Sequence, residues 1–196
     1  MWDEKTKNLN RREIMKAGLT GMIAAPLLTS MSAPAMAAKL PMPDEGAFKI
    51  NFRNVHTGES FNGVYRVGDR YMPDAFEKIN FVLRDFRSNE IFPIDPRTID
   101  ILYMIHKKSN SKYNFEILSG YRCPRTNEML RRRSEGVAQN SFHLTGQAID
   151  IRLPYFRMSK VNHIAQGLRA GGVGYYQKSN FVHIDTGKVR FWDDAS

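Results

Sequence analysis

The stretch Ser141-Phe142-His143-Leu144-Thr145-Gly146-Gln147-Ala148-Ile149-Asp150-Ile151-Arg152-Leu153 decides how this chain is read. From Ala148 onward, Ile149, Ile151 and Leu153 fall on one face of an extended segment, with Ala148 and Asp150 on the other. This predicts a strand with one packed face and one face that offers a carboxylate. Thr145-Gly146 reads as a turn, which folds the His143 imidazole back over that strand.

A second segment, Phe181-Val182-His183-Ile184-Asp185, repeats the pattern, with Val182 and Ile184 toward the core and His183 and Asp185 on the opposite face. Two adjacent strands of this kind present Asp150 and His183 together, and His143 completes a set of two imidazoles and one carboxylate. That is the composition of a catalytic zinc site, which keeps its fourth position for water or substrate. A closed structural site draws more often on cysteine, and Cys123 is the only one in the chain. Spacing alone also leaves a plainer reading open, in which these side chains are hydrogen-bonding groups near strand ends.

The 196 residues are 42% hydrophobic and 25% charged, which fits one globular domain behind an N-terminal leader. The formal charge is +9, and the segment before Ala38 holds five Lys/Arg against three Asp/Glu, so the remainder carries +7. Such a domain suits nucleic acid, anionic lipid or an anionic wall polymer, and charge does not choose among them. No nucleic-acid recognition motif is present, so nucleic acid is not an expected partner. One cysteine excludes an internal disulfide, and Cys123 is expected to be a packed or partly exposed thiol.

Asn10-Arg11-Arg12-Glu13-Ile14-Met15-Lys16 precedes an apolar stretch from Ala17 to Leu28, followed by Ala35-Met36-Ala37. The three regions of a cleavable twin-arginine signal appear in order, which favours residues 1–37 as a signal peptide over an uncleaved amphipathic anchor. The apolar run is shorter than the roughly 20 residues of a membrane helix, so no stable membrane span is expected after cleavage.

Further along, alternation from Phe48 to Val67 around Thr57-Gly58 predicts a hairpin, with Phe52 and Val55 near the core and His56 a turn residue. Asp74 with Glu77 resembles a capping box opening a helix that runs to about Arg87. Asp95-Pro96 reads as the N-cap and first residue of a second helix, with His106 solvated or dipole-paired near its basic end. Phe115-Glu116-Ile117-Leu118 is a strand that delivers Ser119-Gly120-Tyr121-Arg122 at its end. A helix from about Pro124 ends in Arg131-Arg132-Arg133, a solvated charge run. Ser159 to Arg169 forms a last helix packed through Val161, Ile164, Ala165 and Leu168, with His163 beside that stripe in a structural place. Ala170-Gly171-Gly172-Val173-Gly174 breaks that helix and serves tight backbone packing, since it lacks the Gly-Lys-Ser/Thr ending of a phosphate loop. Strand and helix signals do not alternate as βαβ units, so the fold class expected is α+β: a small antiparallel sheet, flanking helices and the zinc site on the sheet.

Ser119-Gly120-Tyr121-Arg122, then His143 through Asp150, then His183-Ile184-Asp185 resembles the zinc D-alanyl-D-alanine peptidase and murein endopeptidase family in order and spacing. Within it the chain is most similar to the YcbK-like murein endopeptidases, through His56-Thr57-Gly58-Glu59-Ser60, Ala170 to Tyr176 and Asn180 to Gly187. The resemblance covers nearly all of the chain after the leader and implies an α+β zinc peptidase domain over residues 38–196. It also implies Zn2+ on His143, Asp150 and His183, an active-site role for Arg122, and hydrolysis of peptide cross-links of peptidoglycan in the periplasm, with meso-diaminopimelate-containing bridges as target. The other readings are a D,D- or L,D-carboxypeptidase that trims wall peptides, and a non-catalytic peptidoglycan-binding protein.

Arg122 suits a peptide carboxylate or a developing oxyanion because guanidinium donates paired hydrogen bonds and stays protonated; a structural salt bridge is the plainer role. The chain departs from many zinc D-alanyl-D-alanine peptidases three positions before the last ligand, where Asn180 replaces an acidic residue. An amide cannot accept and return a proton, so the general base is expected at Asp185, on the His183 face. The competing role for Asp185 is a carboxylate that orients a ligand imidazole. Tyr175 and Tyr176 are as suited to core or rim packing as to a substrate groove, and are left out of the expected site.

Overall fold

The computed structural model describes residues 40–134 and 136–194; the signal peptide expected over 1–37 lies outside them. In chain order the elements are β1 (Ala47–Asn54), β2 (Ser60–Val67), β3 (Arg70–Tyr71), α1 (Pro73–Val82), α2 (Pro96–Ser109), β4 (Phe115–Ser119) and α3 (Pro124–Arg133). A 3-10 turn (Phe142–Thr145), β5 (Ala148–Arg152), α4 (Met158–Leu168), β6 (Gly172–Tyr176), β7 (Phe181–Asp185) and β8 (Arg190–Asp193) complete the described chain.

The strands form one eight-stranded sheet in the order β3-β2-β1-β4-β5-β7-β6-β8. The α+β class holds, while the expected small antiparallel sheet is corrected in size and sense: β1 pairs with β4, and β6 with β8, in parallel. Two of the added strands gave little signal. Gly172-Val173-Gly174 reads as a helix breaker, and Arg190–Asp193 is a four-residue edge strand whose ends are charged.

Helix starts follow from local chemistry. Asp95 accepts a hydrogen bond from the Arg97 amide at 2.9 Å and Pro96 takes the first helical position, where its missing N–H costs nothing. Cys123 is buried and caps α3, its sulfur accepting from the Thr126 amide at 3.4 Å. The Asp74–Glu77 capping box is not formed: Met72 is the N-cap, Pro73 the first helical residue, and Asp74 lies within the first turn. That helix also stops at Val82, because Arg84 and Asp85 turn inward to hydrogen-bond Glu59, Asn89 and the Cys123 amide. The last helix starts one residue before Ser159, and Arg169 closes it in a left-handed conformation. His106 is half-buried and donates to the Tyr113 carbonyl at 3.0 Å, so it is anchored rather than solvated.

The core joins α2 and α4 to the sheet. Ile149, Ile151, Val182 and Ile184 are fully buried, in one cluster with Ile99, Leu102, Ile105, Val161 and Ala165. Each of the Ile, Leu and Val side chains contributes about 1.5–3 kcal/mol on leaving water. Alternation along β5 and β7 therefore sends Asp150 and His183 to the face that α2 and α4 do not cover.

Candidate metal centre

One cross-strand row carries the site. Ser119 pairs with Asp150, Asp150 with His183, His183 with Gly174 and Gly174 with Trp192, spanning β4, β5, β7, β6 and β8. Asp150 and His183 are thus direct neighbours, and the His183 Nδ1 lies 2.8 Å from the Asp150 Oδ1. The 3-10 turn brings in His143, capped by Ser141 and closed by Gly146 at φ 67°, the left-handed turn that glycine adopts freely. Its Nε2 stands 3.3 Å from both Asp150 Oδ1 and His183 Nδ1.

The three residues expected as ligands are therefore together, with their donor atoms within 4.8 Å of one another. The donor chemistry fits a metal ion. His143 Nδ1 donates to the Gly120 carbonyl at 2.6 Å and His183 Nε2 to Asp185 at 3.1 Å, so the other nitrogen of each ring is turned toward Asp150. Burial opposes ionisation of Asp150, yet the two imidazoles beside it hold its carboxyl well below the usual range. Burial lowers the pKa of His143 and outweighs the pull of Asp150, which keeps its lone pair available. For His183, burial is overcome by hydrogen bonds to Asp150 and Asp185, and its pKa is raised. His56 and His163 stand outside this cluster: His56 sits in the β1–β2 turn, donating to the Leu118 carbonyl at 3.1 Å, and His163 is exposed on α4.

A cleft of about 580 Å³ opens over the row, lined by Asp150, His183, Arg122, Ser141, Phe142, Tyr176 and Trp192 among others. Trp192 reaches the site because Gly174 has no side chain: a Cβ there would run into the indole. The indole lies with its ring centre 5.4 Å from that of His183 and donates to the Tyr176 hydroxyl at 3.2 Å.

A family model described as peptidoglycan L,D-endopeptidase MepK matches residues 44–192. The chain belongs to the MepK endopeptidase family. It is similar to peptidoglycan L,D-endopeptidase MepK of Escherichia coli (strain K12), with 41% identity over 183 residues, covering 93% of this chain and 97% of that protein. The same figures hold for the protein of that name in Shigella flexneri. The probable peptidoglycan L,D-endopeptidase MepK of Haemophilus influenzae is 41% identical over 144 residues, 73% of this chain and 77% of that one. No solved structure matches the chain. Membership makes this chain a peptidoglycan peptidase.

In this MepK-family chain the base expected at Asp185 is misplaced for that task. Asp185 does share the His183 face, but it is fully buried behind the ring, and both oxygens are engaged. Oδ1 accepts from the Gly172 and Gly187 amides and Arg190, and Oδ2 from His183 and Arg190, at 2.7 to 3.1 Å. Burial works against its ionisation, but these bonds hold its carboxyl well below the usual range. Its geometry is that of the orienting carboxylate. Asn180 is exposed, in a left-handed turn, with its carbonyl on Arg152.

Arg122 lines the cleft, its backbone amide donating to the His143 carbonyl at 3.1 Å and its Nη2 lying 3.3 Å from the Ser141 hydroxyl. Its Nε is buried and has no protein partner among the described residues, so no salt bridge accounts for it. Trp192 lines the cleft without having been singled out in the sequence, and Tyr176, left out of the expected site as equally suited to packing, lines it too. Alternation from His183 through the β6–β7 pairing would have separated Tyr176 from the core-packed Tyr175, had Gly172–Tyr176 been read as a strand.

Proposed function

We propose that this peptidoglycan peptidase is a zinc enzyme that hydrolyses peptide cross-links containing meso-diaminopimelate, in the periplasm, after twin-arginine export. The relatives are named L,D-endopeptidases, and that bond type, from an L-configured to a D-configured residue, is carried over to this chain. The observation that supports this best is the convergence of His143, Asp150 and His183 in an open cleft, each imidazole fixed by an acceptor on its far nitrogen. Two nitrogens and one carboxylate oxygen are a zinc donor set, and the single buried cysteine stands elsewhere, capping α3. When bound, zinc supplies Lewis acidity to a scissile carbonyl and to water.

The chain's own residues do the rest. Gly120 and Asp185 hold the two imidazoles in the tautomers that ligation needs. Arg122 offers its partnerless Nε to negative charge on the substrate, on a peptide carboxylate or on the oxygen that gains charge during attack. Tyr176 receives the Trp192 N–H, which leaves its own proton to donate.

The test is digestion of defined cross-linked muropeptides with mass analysis of products, before and after chelation and zinc return. His143→Ala, Asp150→Ala and His183→Ala should each abolish cleavage and bound zinc. Release of a terminal D-alanine alone would make the protein a carboxypeptidase, and binding of sacculi without cleavage would leave it a wall-binding protein. For the route, Arg11→Lys/Arg12→Lys should stop delivery to the periplasm, and unchanged delivery would reject the twin-arginine signal.

A further inference from the structure

The face opposite the cleft carries a second feature. Residues 106–114, at the end of α2, and 153–164, from the end of β5 into α4, contain five Lys/Arg and no Asp or Glu. The fold sets them side by side, with Lys108 and Ser109 facing Phe156, Ser159, Lys160 and His163 across a depression of about 390 Å³. Lys107, Lys108, Lys112, Arg157 and Lys160 are all exposed, and none forms an ion pair among the described residues.

Beside these cations sit two aromatic rings. Tyr155 is 89% exposed and Tyr113 37%, and their ring centres are 4.8 Å apart. Tyr155 is held outward by a backbone φ of 57°, a conformation bulky residues seldom adopt, and nothing in the core uses its ring. The other basic run differs. Arg131 and Arg132 are paired with Glu128, and the chain leaving that helix forms the cleft wall at Ser134 and Gly136.

We propose that the α2–α4 patch docks the protein on a bilayer surface carrying anionic phospholipid. The lysines meet lipid phosphates, and Tyr113 and Tyr155 rest at headgroup level, where a ring with a polar tip is most stable. Five cations without ion pairs, on two segments that contain no carboxylate, complement a negative headgroup layer, and the exposed tyrosines add the apolar contact that charge alone lacks. Because Asp150 and His183 project from the other face of the sheet, a docked molecule keeps its cleft open to polymer on the side away from the membrane.

The experiment is co-sedimentation of the full chain with vesicles of phosphatidylcholine, alone or with about one-third phosphatidylglycerol. The increment due to the anionic lipid should fall about tenfold or more in Lys108→Glu/Lys112→Glu/Lys160→Glu, since each cation contributes about a fivefold factor. The same increment should vanish on raising NaCl from roughly 0.05 to 0.5 M, which shortens the screening length about threefold. Tyr155→Ser should weaken it, while Arg131→Glu/Arg132→Glu/Arg133→Glu should retain it. Circular dichroism and cleavage of a soluble muropeptide should be unchanged in the α2–α4 variants, which establishes that they are folded. No anionic-lipid increment in the wild type, or an undiminished increment in the lysine variant, would overturn the proposal.

Discussion

Asp185 makes five hydrogen-bond contacts, to two backbone amides, to His183 and twice to Arg190, and it has no oxygen left for the cleft. Asp185→Asn should therefore weaken metal affinity by about 10- to 100-fold, read by competition with a chelating dye, because His183 exchanges a charged carboxylate acceptor for a neutral amide. Normal affinity with a collapsed turnover rate would return Asp185 to the role of base. Asp85 gives a prediction away from the metal. It is buried, which raises its pKa, but hydrogen bonds from Thr126, the Cys123 amide and the Arg87 amide more than offset this and depress it. A depressed carboxylate adds stability that is complete above its unfolded pKa of about 3.9, and is lost as pH falls through the lower folded value. Urea unfolding should show Asp85→Asn less stable than wild type at pH about 7, with the gap closing below pH about 4.

At the level of elements, Asp100 on α2 ties the helix to the far end of the sheet. It accepts from Tyr65 at 2.8 Å, Tyr71 at 2.6 Å and Arg66 at 2.8 Å, and it is 3% exposed. Asp100→Ala leaves the buried Tyr65 hydroxyl without an acceptor and Arg66 without its counter-charge, which should cost about 3 kcal/mol in urea unfolding. Metal affinity should be unchanged, because the start of α2 is held to the site separately. Asp95 donates through its amide to the Gly146 carbonyl and accepts from Thr186 at 2.8 Å. A loss of metal affinity in Asp100→Ala would show that the two ends of the helix act together.

Across the whole molecule, a bound metal would link a turn (His143) to two strands (Asp150 and His183) separated by 40 residues of chain at most, so it stabilises the folded state by mass action. Chelation should lower the thermal midpoint of the wild type and leave that of His143→Ala/His183→Ala unchanged, as read by differential scanning calorimetry. An equal shift in both would locate the stabilising metal elsewhere.

The alternation in 148–153 and in 181–185, the turn at Thr145-Gly146 and the cap at Asp95 were all legible in the sequence, because each depends on neighbours a few residues away. So was the meeting of Asp150 with His183, since two strands with one packed face each must turn these side chains the same way. The rest was decided by long-range pairing. The sequence placed Asp185 on the His183 face but gave no sign of Arg190 and Gly172 enclosing it, which depends on β6 and β8 docking beside β7. Tyr176 and Trp192 enter the cleft for the same reason, through a glycine-bearing strand whose lack of side chains hides its pattern and makes room for the indole. Alternation tells which face a side chain takes; which groups it meets there is set by strand order, and strand order is a property of the folded chain.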